Sequence, residues 1–216
     1  MISIDLIRHG ETEFNISGRV QGQLDIPLNQ PGRFQCALLA NRYKDIPIDS
    51  IYTSDLSRTH ETATILAAHH PNVTITSDPR LRERCFGPYQ GQSLTREQRH
   101  SHLKGVESLE SMYARCLQFY NDVLLPLISS SSGGTNGDKR IVIVSHGALL
   151  SVLIRQVLLN KYKYSLAPNV NPASLINTSV TRAVVNSNHK GTLVSWSDDS
   201  HLQTHGKVEN ADEICL

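Results

Sequence analysis

Ile2-Ser3-Ile4-Asp5-Leu6-Ile7-Arg8-His9-Gly10-Glu11-Thr12 begins as an apolar run rich in β-branched residues and breaks without transition into a polar cluster. Such a run reads as a strand with Arg8-His9 at its C-terminal end. Arg140 to Ser145 repeats the pattern: Ile141-Val142-Ile143-Val144 is a continuous apolar stretch of the kind covered on both faces, and His146-Gly147 leads from it into a helix over Ala148 to Leu159.

Working outward, Pro31 and Gly32 open a helix over Arg33 to Lys44 whose inward face is expected at Phe34, Ala37, Leu38 and Tyr43. Asp49 to Thr53 reads as a second strand, with Ser54-Asp55 as N-cap candidates for a helix from Leu56 to His69, and Val73 to Thr76 as a third strand. Asp78 to Gly105, rich in Pro, Gly, Gln and charge, is an irregular excursion. A helix from Ser108 to Leu125 follows, stopped or kinked by Pro126, and Ser129 to Asp138 reads as a mobile surface loop. Val180 to Asn186 and Thr192 to Trp196 complete the strands. The alternation predicts an α/β fold, a three-layer α/β/α sandwich with a mainly parallel sheet, in one domain over residues 1–200 with a polar tail at 201–216.

Composition sets the limits. With 216 residues, 39% of them hydrophobic and 19% charged, the chain fits one globular domain, and disorder, collagen and coiled coil are excluded as whole-chain readings. Lys+Arg 21 against Asp+Glu 20 leaves no bulk charge to recruit nucleic acid or an anionic membrane, so any anion recognition is local. Cys36, Cys85, Cys116 and Cys215 form no CxxC pair and read as free thiols of a reducing compartment. Without a leader-like start or a membrane-spanning stretch, the expectation is a soluble protein of the cytoplasm, with the nucleus also open to it.

In an open α/β sheet, ligands bind outside the carboxyl ends of the strands. Arg8-His9 after the first strand, Arg58 in the first turn of the helix after the second, and His146 after the fourth can therefore converge on one crevice. Two arginines and two histidines there make a cationic, donor-rich pocket suited to a tetrahedral phosphoryl group.

Leu6-Ile7-Arg8-His9-Gly10-Glu11-Thr12-Glu13-Phe14-Asn15 resembles the signature of the histidine phosphatase (phosphoglycerate mutase-like) superfamily. Ser54 to Ala63 is similar to its second arginine segment, Leu81 to Gly87 to its acidic loop, and Val144-Ser145-His146-Gly147 to its second histidine, all in the family order. The resemblance implies a metal-independent phosphomonoester hydrolase needing no cofactor, with His9 as nucleophile and a phosphohistidine intermediate. Arg8, Arg58 and His146 would hold the non-bridging oxygens, and Glu83 would protonate the leaving oxygen and then activate water, a dual role served by a carboxyl whose pKa is raised in a sheltered setting. Asn15, Gln21, Gly22 and Gly147 match positions lining the phosphate or substrate.

Val20-Gln21-Gly22-Gln23 and Leu81 to Gly91 look most like fructose-2,6-bisphosphatase-like (TIGAR-type) and broad-specificity members, and Gln21-Gly22 stands where mutases tend to have Thr-Gly. The partner implied is a small phosphorylated substrate such as a sugar phosphate or bisphosphate. Mutase action is the weaker reading, and a catalytically weak docking module is the alternative of a different class; protein partners cannot be read from the sequence. Arg80, Arg82, Arg84, Arg96, Arg99 and Lys104 are either a solvated mixed-charge surface or a second anion clamp at the pocket mouth. His100 with His102, and His201 with His205, lack further metal ligands and read as solvated.

Overall fold

The computed structural model describes residues 1–100, 103–130, 138–186 and 188–202. Ile2, Ile4 and Leu6 alternate with Asp5 and Ile7 along β1 (Ile2–Arg8), and all five are buried, because helices cover both faces of this strand. β1 lies between β4 (Lys139–Ser145), parallel to it, and β6 (Val180–Val185), antiparallel to it. Outside β4 come β2 (Ser50–Thr53) and β3 (Thr74–Ser77), both parallel, and outside β6 come β7 (Gly191–Asp198) and the two-residue β5 (Ser165–Leu166). The order β3-β2-β4-β1-β6-β7-β5 makes a mainly parallel seven-stranded sheet in which β6 alone runs against its neighbours.

One core fills each side of the sheet. Ile4, Leu6, Ile141 and Ile143 pack on one face with Phe119 of α5 (Leu109–Phe119) and Leu149 of α7 (Gly147–Val152). On the other, Ile7, Val142 and Val144 meet Leu39 of α2 (Gln30–Tyr43) and Leu66 of α3 (Ser57–Leu66). These are the three layers the alternation of elements predicts. Asp5 is the charged intruder in the second core, and its carboxylate is satisfied by Tyr43 Oη at 2.7 Å, Arg140 Nη1 at 2.7 Å and Arg182 Nε at 2.6 Å.

Local details depart from expectation for identifiable reasons. α2 buries Cys36, Leu39, Ala40 and Tyr43 and leaves Phe34 and Ala37 exposed, since the inward stripe is set by contact with α3 and not by the largest apolar residues. α3 has Leu56 at its N-cap; Ser54 Oγ accepts from Leu56 N, and Asp55 turns away to pair with Arg82. Pro126 does not stop its helix: α5 runs through a π-helical turn at Tyr120–Leu124 into α6 (Leu125–Ser130), and the wider turn falls where Pro126 lacks an N–H. Ser129 and Ser130 are therefore helical, while 131–137 of the expected loop lie outside the described residues. The helix after His146 likewise continues in π form over Leu153–Lys161. The excursion holds 3-10 turns at Pro79–Leu81 and Gly87–Tyr89 and a short helix, α4 (Arg96–His100). His201 and Leu202, expected to start the tail, form a 3-10 turn in which Leu202 is buried; the remainder, with Cys215 and His205, lies outside the described residues, as does His102.

Candidate active site

β1 and β4 pair in parallel with Arg8 opposite Ser145, so the residue after each strand arrives at the same level. Those residues are His9 and His146, and His9 N donates to Ser145 O at 2.9 Å across the gap. The two imidazoles stand edge to face with centroids 5.2 Å apart, both fully enclosed.

Their tautomers follow from their partners. His9 Nδ1 lies 2.6 Å from Gly10 O, which can only accept, so Nδ1 carries the proton and Nε2 the lone pair. His146 Nδ1 accepts from Arg58 Nε at 3.2 Å, so its proton is on Nε2, which is buried with no hydrogen-bond partner among the described residues. One ring presents a nucleophilic nitrogen and the other a donor. Burial, then the Arg58 and Arg8 guanidinium charges, hold His9 well below the ordinary histidine pKa, with only the Gly10 bond opposing. Burial and Arg58 lead in holding His146 down too, so both rings are neutral.

Arg8 and Arg58 are almost inaccessible, and both are anchored through carbonyls. Arg8 Nη1 donates to Leu175 O at 2.7 Å. Arg58, in the first turn of α3, donates from Nη1 to Leu24 O and from Nη2 to Gly22 O, each at 2.8 Å, and so fastens the Gln21–Leu24 loop over the site. Both guanidinium charges act on His9 and His146, lowering the pKa of each ring.

Glu83 comes from the excursion, is 7% exposed, and rests against the start of α7. Its Oε1 accepts from Arg84 N at 2.7 Å and Leu149 N at 3.2 Å, and Oε2 from Ala148 N at 3.1 Å. The carboxyl is sheltered and held by three backbone N–H donors.

Asn15 and Gln21 are buried, and both turn an amide oxygen toward Thr12 Oγ1, at 3.0 and 2.9 Å, in the capping box that opens α1 (Glu13–Ile16). Gly22 has φ +53°, and a Cβ there would run into Gln90 Oε1, which accepts from Gln23 N at 2.7 Å. Gly147 starts α7 beside the amides that hold Glu83.

The sequence reading passed over the segment that backs His9. Asn177 Nδ2 donates to His9 O at 2.8 Å, and Thr178 N donates to Arg8 O at 3.0 Å from a left-handed backbone, φ 57°, that a β-branched residue rarely adopts. The signal available was the polar run Asn177-Thr178-Ser179 directly before the β6 strand. The arginine cluster is largely used internally: Arg80 pairs with Asp78 and Asp122, Arg82 with Asp55, Arg84 donates to Glu107 O and Arg99 to Gly18 O. His201, expected to be solvated, contacts Thr178 Oγ1 through Nε2 at 3.1 Å. Among the described residues no three His, Cys, Asp or Glu side chains gather as metal ligands.

Comparison with known proteins finds a family and several relatives. Residues 4–199 match the family described as the histidine phosphatase superfamily (branch 1). The chain is 31% identical over 223 residues to phosphoglycerate mutase-like protein 4 of Arabidopsis thaliana, covering 96% of this chain and 90% of that one. It is 30% identical over 227 residues to a metal-independent phosphoserine phosphatase of the same plant, covering 95% and 85%. Among solved structures, a mycobacterial glucosyl-3-phosphoglycerate phosphatase complexed with VO3 superposes with a TM-score of 0.74 at 25% identity, covering 91% of this chain and 99% of that one.

Proposed function

The chain belongs to the histidine phosphatase superfamily and is a phosphatase by its relatives, and from that premise we propose that it hydrolyses small phosphomonoesters, without metal, through a phosphohistidine at His9. The observation that carries this is the tautomer pair, a lone pair on His9 Nε2 beside a proton on His146 Nε2, between two buried arginines.

In the first half-reaction His9 Nε2 attacks phosphorus, the bond to the leaving oxygen breaks, and that oxygen takes a proton from Glu83. Arg8, Arg58 and the His146 Nε2–H meet the charge on the non-bridging oxygens, a contribution of about 10²–10³ in rate per well-placed donor by analogy with oxyanion holes. In the second half-reaction water attacks phosphorus, Glu83 takes its proton, the P–N bond breaks, and His9 regains its lone pair. The sum is ester plus water to alcohol plus phosphate.

Substrates with one phosphoryl group fit better than bisphosphates, because Arg80, Arg82, Arg84 and Arg99 are engaged by carboxylates or carbonyls of the chain itself. Sugar monophosphates, phosphoserine and phosphoglycerates are therefore the panel to try, the second because a relative carries that name. The test is phosphate release from this panel and an aryl phosphate, with EDTA present, against His9→Ala. Turnover lost by at least about 10³-fold in the variant, with no trapped phosphoenzyme, is expected. A folded, vanadate-binding wild type without turnover would instead indicate a docking module.

A further inference from the structure

Glu107 and Arg115, which the mechanism above does not use, meet behind the loop that carries Glu83. Arg115 Nε donates to Glu107 Oε1 at 2.7 Å and Nη2 to Oε2 at 3.0 Å, and the two side chains are only 15% and 11% exposed. The same guanidinium donates through Nη1 to Arg80 O at 2.7 Å and Arg82 O at 2.5 Å, and through Nη2 to Glu83 O at 3.2 Å. Glu107 holds the next two residues: Oε2 accepts from Cys85 N at 3.0 Å, its own N donates to Cys85 O at 2.7 Å, and its carbonyl accepts from Arg84 Nε at 2.8 Å. Each residue from Arg82 to Cys85 is thus bonded to the pair.

We propose that Glu107 and Arg115 form a positioning unit for Glu83, fixing the backbone of the acid loop so that its carboxyl moves between the α7 amides and the leaving oxygen without carrying the loop along. Neither residue touches substrate. The assignment rests on the reading of Glu83 as acid and base. A planar fork that spans three carbonyls and a carboxylate holds one geometry, which a lysine ammonium cannot reproduce. The clamp grips the main chain of Glu83, and α7 receives the side chain. Loss of the pair therefore removes the placement of the acid while the phosphoryl-holding residues on β1, α3 and β4 stay in register.

The experiment measures kcat/KM, which reports phosphorylation, for Arg115→Gln, Arg115→Lys and Glu107→Gln over a series running from dinitrophenyl phosphate to an alkyl phosphate, with vanadate inhibition alongside. Expected is a change within about threefold for the dinitrophenyl ester, a loss on the order of 10²-fold for the alkyl ester, and unchanged vanadate affinity. Arg115→Lys should fall between Arg115→Gln and wild type, and Arg115→Gln should cost nothing further in a Glu83→Gln background. Equal loss for every leaving group, weakened vanadate, additivity with Glu83→Gln, or variants that do not fold would each overturn the proposal. A flat leaving-group response in Glu83→Gln alone would remove the acid assignment beneath it, whereas a steep response there with flat Arg115 variants would remove the proposal by itself.

Discussion

At the scale of the residue, the site works by assigning protons. Both histidines are enclosed between guanidinium groups, and a positive neighbour and a dry setting disfavour the imidazolium form in the same direction. In the unliganded protein, NMR titration of the His9 and His146 ring resonances is therefore expected to show no protonation at the ordinary midpoint near about 6.5. Arg58→Gln removes the positive charge that most disfavours the imidazolium form of each ring, so both should then protonate at higher pH than in wild type. A normal midpoint for His9 in the wild type would mean that the ring is wetter than its burial indicates. Cys36 shows the opposite sign of the same physics: burial pushes its thiol up to about 12, which keeps it unreactive behind Gly10.

At the scale of the element, the candidate site residues are placed by strand register and by loops tied to one another. The Gln21–Leu24 loop is held by Arg58 on one side and, through Gln23, by Gln90 on the other, and its turn depends on the left-handed backbone at Gly22. Gly22→Ala is expected to strain that turn by about 1–2 kcal/mol and to push Gln90 off Gln23 N. Because Arg58 then loses its anchor, vanadate affinity and kcat/KM should fall by about tenfold or more, alongside a melting-temperature drop of about 2–8 °C. A kcat/KM equal to wild type would show that the loop does not set the position of Arg58. Strand ends and their histidines were legible in the sequence because the apolar runs of β1 and β4 end abruptly in polar residues. The α2 face, the passage of the helix through Pro126 and the polar partners of the site were not, since each depends on a contact distant along the chain. Arg115 reaches the carbonyl of Arg80, 35 positions away, and Asn177 reaches that of His9, 168 away; neither distance leaves a periodicity to read.

At the scale of the molecule, burying neutral histidines links folding to pH. His9 and His146 are held well below their ordinary pKa, and His201 is held at about 4 by burial and by Arg42, against Asp198 and Asp199. In the unfolded chain all three titrate near about 6.5. Between these limits the unfolded state binds more protons than the folded one, so stability rises with pH across that window and is lost as pH falls through it. The melting temperature should accordingly drop between pH 6.5 and 4, ahead of the carboxylates, of which Asp198 is held at about 2 beside Arg42. His201→Asn should remove about one of the three protons from this slope. Phosphate should flatten it further, because an anion between Arg8 and Arg58 makes protonated His9 and His146 acceptable in the folded state. Calorimetry from pH 7.5 to 4, with and without phosphate, reads both effects. A slope that phosphate leaves untouched would place the anion away from the paired histidines, and with it the phosphoryl group that we propose His9 attacks.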